Sequence, residues 1–219
     1  MKFKRNIPRS SFKWPGIVLL AVSALALLFY FTNADKGTEG GSAGPEKKYR
    51  FSVGTPKAGD KAPDIVLPST ADSMFDLSSL KGQTVLLFFQ EGIMCQPCWD
   101  QVRQIETSFD PFKSLGIDTI VTISTDPLKE LKQKVEMERL STLFLSDESV
   151  QVSEAYTTNR YTMMGKNYNG HSFIVVGPDG TIKWRADYGG SPDYTMYVPV
   201  SNLLADMADG LQGEGEQAG

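Results

Sequence analysis

Cys95 and Cys98 are the residues of this chain best suited to chemistry. They are its only two cysteines, and they stand three apart in the stretch Gln90-Glu91-Gly92-Ile93-Met94-Cys95-Gln96-Pro97-Cys98-Trp99. An apolar run, Thr84 to Phe89, comes directly before them and a helical pattern follows. A strand ending there delivers Cys95 to the edge of a sheet, and the next helix aims its unpaired N–H groups at the sulfur. Those dipoles favour the thiolate, which is the nucleophile. Pro97 suits the first helical turn, where its missing donor costs nothing. Cys98, one turn on from Cys95, can close a disulfide with it. Such a pair suits thiol–disulfide exchange. Cys95 attacks a partner disulfide, Cys98 resolves the mixed disulfide, and no cofactor is required.

Two structural uses of the cysteines are weaker. A disulfide closing so short a loop constrains the unfolded chain by only ~2 kcal/mol, which a large domain hardly needs. A structural zinc site takes four Cys or His ligands, and the chain has only Cys95, Cys98 and His171 to give.

The elements that position the dithiol begin after an N-terminal segment that reads as a membrane anchor. Residues 1–13 carry Lys2, Lys4, Arg5, Arg9 and Lys13, and residues 14–33 contain the apolar run from Ile17 to Phe31 with Trp14 and Tyr30 near its edges. With Pro15, Gly16 and Thr32 included, the segment is about long enough to span a bilayer at ~1.5 Å per residue. The basic flank places the N-terminus in the cytoplasm and the rest of the chain outside, as a single-pass protein of the cell membrane. A cleaved signal peptide is the competing reading, but Thr32-Asn33-Ala34 is a poor cleavage site. Residues 34–50 are Gly-rich and charged, a flexible linker, and residues 212–219 read as a disordered tail. Residues 51–211 remain for one domain with a full core. Five of the 22 basic residues precede position 14, leaving 17 against 26 acidic residues in the remainder. That acidic balance argues against nucleic acid as a partner.

Within the domain the periodicities alternate. Strands are expected at 84–90, 117–124 and 142–145. The helix carrying the dithiol is expected to end near Pro111 or Gly116, and further helices to cover 127–139, 150–156 and 201–211. Phe173-Ile-Val-Val176 and Thr181-Ile-Lys-Trp184 flank Gly177-Pro178-Asp179-Gly180, which makes a hairpin. The order predicts an α/β domain with a mixed central sheet and helices on both faces, the layout of the thioredoxin fold.

From Ala58 to about Leu211 the chain resembles the redoxin, peroxiredoxin-like branch of the thioredoxin superfamily, the alkyl hydroperoxide reductase/thiol-specific antioxidant group. The resemblance rests on Ala58-Gly59-Asp60-Lys61-Ala62-Pro63-Asp64, Leu77 to Gly82, the approach from Phe88-Phe89 to Cys95, Val121 to Asp126, Leu145-Ser146-Asp147, and His171 to Gly180. It implies a redox-active Cys95–Cys98 centre. Peroxidatic enzymes of this group place Pro seven residues and Thr or Ser three residues before the attacking Cys, and use a distant Arg. This chain has Phe88 and Gly92 at the first two positions and His171, just before the hairpin strand, where the Arg usually stands. The resemblance also places His171, the only histidine, across from the dithiol, where it can stabilise the Cys95 thiolate or shuttle a proton. Glu91 is a second candidate proton carrier. Tyr161, Met163, Met164 and Tyr168 precede His171 in a loop suited to packing or to an apolar face for partners.

These readings imply an extracytoplasmic, membrane-tethered thiol–disulfide oxidoreductase whose partners are protein dithiols or disulfides, or an external thiol reductant. The first alternative is a thiol peroxidase with antioxidant activity acting on peroxide, Cys95 passing through a sulfenic acid that Cys98 condenses with. The second is a copper-binding redox chaperone, since the chain is also similar to the Sco type and copper(I) suits Cys95, Cys98 and His171.

Overall fold

The structure, a computed structural model, describes residues 49–213. The expected cytoplasmic flank, membrane anchor, most of the linker and most of the tail lie outside the described residues. Among those described, no helix is long and apolar enough to cross a membrane.

The chain runs β1 (Val66–Pro68), β2 (Met74–Asp76), a 3-10 turn at Leu77–Leu80, β3 (Val85–Phe89), α1 (Gln96–Thr107), α2 (Phe109–Ser114), β4 (Thr119–Ser124), α3 (Leu128–Glu138), β5 (Leu143–Ser146), α4 (Gln151–Ala155), a 3-10 turn at Thr158–Arg160, β6 (Ser172–Val176), β7 (Ile182–Asp187) and α5 (Val200–Gly213). Five strands form the central sheet in the order β5-β4-β3-β6-β7. β3, β4 and β5 are parallel, whereas β6 and β7 join antiparallel. The expected mixed sheet of the thioredoxin layout is therefore present. β1 and β2 form a separate hairpin that periodicity did not disclose, because three residues are too few to show alternation.

β3 explains how the sheet is held. All five of its residues are buried, and they alternate between two cores as strand geometry requires. Leu86 and Phe88 join Trp99, Val102 and Ile105 of α1, Leu131 of α3, and Leu203 and Met207 of α5. Val85, Leu87 and Phe89 join Ile65, Leu67 and Phe75 of the hairpin and Val152 and Tyr156 of α4. Helices thus cover both faces, but α4 shares its face with the hairpin. Each such large side chain contributes about 1.5–3 kcal/mol on burial.

The helix after the dithiol differs from expectation. It stops at Thr107, Ser108 leaves the helical region at φ −126° and ψ 38°, and α2 restarts at Phe109. Pro111 is the physical reason. In a continuous helix its ring would collide with the carbonyl four residues back, whereas in the first turn of a new helix it is tolerated. At the other end, Tyr49 and Arg50, read from composition as linker, belong with the domain. Tyr49 packs against the first core, and Arg50 donates to Asp193 at 2.8 and 2.9 Å.

Candidate active site

Cys95 caps the N-terminus of α1 and is bonded to Cys98, with the two Cα atoms 5.3 Å apart. Pro97 occupies the first turn, as expected. Cys95 keeps 9% of its surface exposed and Cys98 none, so a partner reaches the first sulfur and not the second. Met94, 89% exposed, stands immediately before the accessible cysteine.

The turn that presents Cys95 is pinned from several sides. Gly92 N–H donates to Gln90 Oε1, Ile93 N–H to Asp126 Oδ2 at 2.9 Å, Cys95 N–H to Gly92 O at 3.1 Å, and the Trp99 indole N–H to Gly92 O at 3.2 Å. Gly92 holds φ +116°, and a Cβ there would lie 2.3 Å from Asp126 Oδ2. The missing Thr or Ser three residues before Cys95 therefore has a structural cause, since the backbone and the Asp126 carboxylate leave room only for glycine. Gly92→Thr is expected to cost about 2 kcal/mol or more in a urea unfolding series and to leave peroxide consumption no faster. A faster variant would show that the turn can accept the side chain.

His171 is fully buried edge-on to a stacked aromatic pair, 4.7 Å from Phe88 and 5.3 Å from Phe173 centroid to centroid. The structure brings it to the dithiol, but to the other member. Its Nδ1 lies 3.8 Å from Cys98 Sγ, and among the described residues no hydrogen bond links it to Cys95. The contact that the structure gives His171 is thus with Cys98, whereas the expected role was beside the Cys95 thiolate. Burial pushes its pKa down to about 3, so the imidazole is neutral at working pH. In the unfolded chain the same group titrates near 6.5. The unfolded state then binds the extra proton between the two values, and the stability that His171 supplies is complete above pH ~6.5 and lost as pH falls towards 3. The slope from this residue is about 1.4 kcal/mol per pH unit. Urea unfolding of wild type and His171→Asn from pH 7 to pH 4 checks this. The variant should show the shallower decline.

Gln101, one turn beyond Cys98, is the site residue the sequence did not disclose. Fully buried, it accepts from Val198 N–H at 2.7 Å and stands 3.2 Å from His171 Nε2, both through Oε1. The available signal was a polar residue three positions after Cys98 on the apolar face of the helix.

Glu91 is engaged by the loop before His171. It accepts from Thr162 Oγ1 at 2.8 Å, and partial burial raises its pKa. This contact ties the loop before His171 to the active-site turn. Met163, Met164 and Tyr168 of that loop are exposed, so packing does not account for them, whereas Tyr161 lies under the Arg185 guanidinium. Arg185 itself is buried and donates to Asp187 at 2.8 and 3.0 Å and to Pro56 O at 2.9 Å, which leaves it committed to the scaffold. Among the described residues no group of three His, Cys, Asp or Glu side chains is arranged to hold a metal ion.

Residues 58–185 match the AhpC/TSA family. Over 130 residues the chain is 35% identical to peroxiredoxin Bcp of Escherichia coli strain K12, an alignment covering 58% of this chain and 83% of that protein. Over 100 residues it is 27% identical to thiol-disulfide oxidoreductase ResA of Halalkalibacterium halodurans, covering 46% of this chain and 56% of that protein. In three dimensions it is similar to the crystal structure of peroxidoxin BcpB from Mycobacterium tuberculosis, with a TM-score of 0.57 at 22% identity, covering 70% of this chain and 97% of that one. That last likeness is one of fold.

Proposed function

The chain belongs to the AhpC/TSA family and is an oxidoreductase enzyme, and from that premise we propose that it is a thiol peroxidase that completes its oxidative half-reaction within one chain. The Cys95 thiolate attacks a peroxide oxygen and becomes the sulfenic acid, while the other oxygen leaves as an alcohol or water after taking a proton. The Cys98 thiol then condenses with the sulfenic acid, forming the disulfide and releasing water. An external thiol reductant restores both thiols by exchange. The observation that carries this reading is the 35% identity over 130 residues to a peroxiredoxin, and the Cys95–Cys98 pair is placed to close the bond that such a cycle leaves. This order reverses the one drawn from the cysteine motif alone, which put exchange with protein disulfides first.

Exchange with a protein partner remains the second reading. It is favoured by Phe88 and Gly92 standing where peroxidatic enzymes have Pro and Thr, and by His171 standing where they have the distant Arg. One experiment separates the two. The reduced full-length chain is mixed with hydrogen peroxide and, in parallel, with insulin, using dithiothreitol as reductant. The proposal expects peroxide to oxidise Cys95 far faster than it oxidises free cysteine at equal thiolate fraction. Its failure is marked by peroxide reacting no faster than with free cysteine while insulin is reduced. With Cys98→Ser and peroxide, a sulfenic acid is expected to persist at Cys95, detectable by dimedone labelling. Covalent protein adducts in its place would favour the second reading.

The membrane tether and extracytoplasmic placement also stand as part of this proposal, on the basic flank and apolar run of residues 1–33.

A further inference from the structure

We propose that His171 is the proton acceptor for the resolving cysteine, Cys98, and that Gln101 is the positioning residue that keeps His171 in the tautomer this task requires. The proposal rests on the reading that Cys98 resolves.

The tautomer follows from one backbone group. Val198 N–H can only donate, and it donates to Gln101 at 2.7 Å. The Gln101 atom facing it must therefore be the carbonyl oxygen, Oε1. The same oxygen faces His171 Nε2 at 3.2 Å. Two acceptors would repel there, so Nε2 carries the hydrogen and donates it. Because the ring is neutral, its other nitrogen, Nδ1, is a bare lone pair, and that lone pair faces Cys98 Sγ at 3.8 Å. The arrangement has a visible cost. Gln101 Nε2 is buried without a partner, a loss that the opposite orientation of the amide would not cure, since it would set two N–H donors against Val198 and His171. An unpaired donor is tolerated so that the acceptor stays where it fixes the ring.

Cys98 is fully enclosed, so the proton its thiol gives up on attack needs an acceptor inside the fold, and the lone pair set beside its sulfur is Nδ1 of His171. As the Cys98 sulfur attacks the Cys95 sulfenic sulfur, the S–O bond breaks, the S–S bond forms, and the Cys98 proton passes to Nδ1 and onward to the departing hydroxide, giving water. In thiol exchange the departing partner thiolate takes the place of hydroxide, and the proton leaves to solvent. Of the titratable groups on the elements around the ring, Cys98 on α1 makes the direct contact, while Arg185 and Asp187 on β7 pair with each other, Tyr188 after β7 donates to Asp206, and Asp100 and Arg103 on α1 form an ion pair. Glu91, beyond β3, is engaged with Thr162. Burial lowers the pKa of His171, so Nδ1 is unprotonated throughout neutral pH, and the proton it takes from Cys98 is passed on to the leaving group as the S–S bond forms.

The test follows both thiols in one trace. The reduced full-length chain is mixed with Ellman's reagent in a stopped-flow instrument. Attack by Cys95 releases a first nitrothiobenzoate, and attack by Cys98 on the resulting mixed disulfide releases a second. In Cys98→Ser only the first release is expected; a second release there would overturn the assignment of Cys98 as resolving residue rather than the role of His171. In His171→Asn the first phase should stay within about two-fold of wild type, and the second should slow by roughly 10²-fold, the scale of a lost general base. The slowed phase should accelerate roughly tenfold from pH 7 to 8 and level off above pH ~8.5, as for an unassisted thiol, where wild type is flatter. Gln101→Met frees the ring to take the other tautomer and should slow the second phase selectively. Gln101→Glu, which keeps the acceptor, should restore it to within a few-fold of wild type. A second phase unchanged in folded His171→Asn, or both phases slowed alike in folded Gln101→Met, would overturn the proposal.

Discussion

Replacing Cys95 with serine should lower the rate of peroxide reduction by roughly 10³-fold or more, the scale on which an enzyme loses activity when its covalent nucleophile is deleted. The hydroxyl is neutral at pH 7 and cannot benefit from the N-terminus of α1 as a thiolate does. No other thiol can stand in, because Cys98 is the only one left and is fully buried. Peroxide consumption at fixed reductant, recorded with Cys98→Ser beside it, checks the assignment. Cys98→Ser should complete one oxidation per chain and then stall, whereas Cys95→Ser should not begin. A slow first turnover in both variants alike would mean that the roles of the two sulfurs are not divided as the burial suggests.

The largest expected effect on stability lies away from the sulfurs. Asp187 and Arg185 are both completely enclosed, and the Asp187 carboxylate also accepts from Gly54 N–H at 2.7 Å. Asp187→Ala leaves a guanidinium in the interior without its counter-charge, and should cost about 3–5 kcal/mol. With a urea slope of about 2 kcal/mol per M, the unfolding midpoint should fall by on the order of 2 M. The paired replacement Arg185→Met with Asp187→Leu should recover most of that loss, because it removes the stranded charge as well as the bond. A midpoint within about 0.3 M of wild type for Asp187→Ala would show that water reaches the pair, since an exposed pair is worth ~1 kcal/mol at most.

These two charges also show where sequence reading ran out. β3, β4 and β6 were legible because strands buried on both faces must be written as apolar runs. The hairpin after Val176 was legible through its turn residues. β7 was expected to end at Trp184 and continues to Asp187, because Arg and Asp in sequence look like solvent-facing residues. Only their mutual bond makes burial tolerable, and that is a fact of three dimensions. Gln101 was hidden for the same reason, since its partners lie 70 and 97 positions away. The dithiol lay open to sequence because both sulfurs, the proline and the helix start fall within four consecutive residues. His171 was found, but its nearer sulfur was not, because the choice between Cys95 and Cys98 depends on which side of the first turn of α1 faces Phe88.

The Cys95–Cys98 bond closes across one ordinary helical turn, and α1 remains regular through Thr107 with the bond in place. Opening or closing it therefore asks no helix to melt and no part of the core to reach water. Where two cooperating thiols sit on separate elements, each cycle passes through a partly undone fold, and each passage is a chance to aggregate or be cleaved. In the cycle proposed above, each oxidation and reduction is confined to two sulfur atoms beside a helix that stays formed when they are joined.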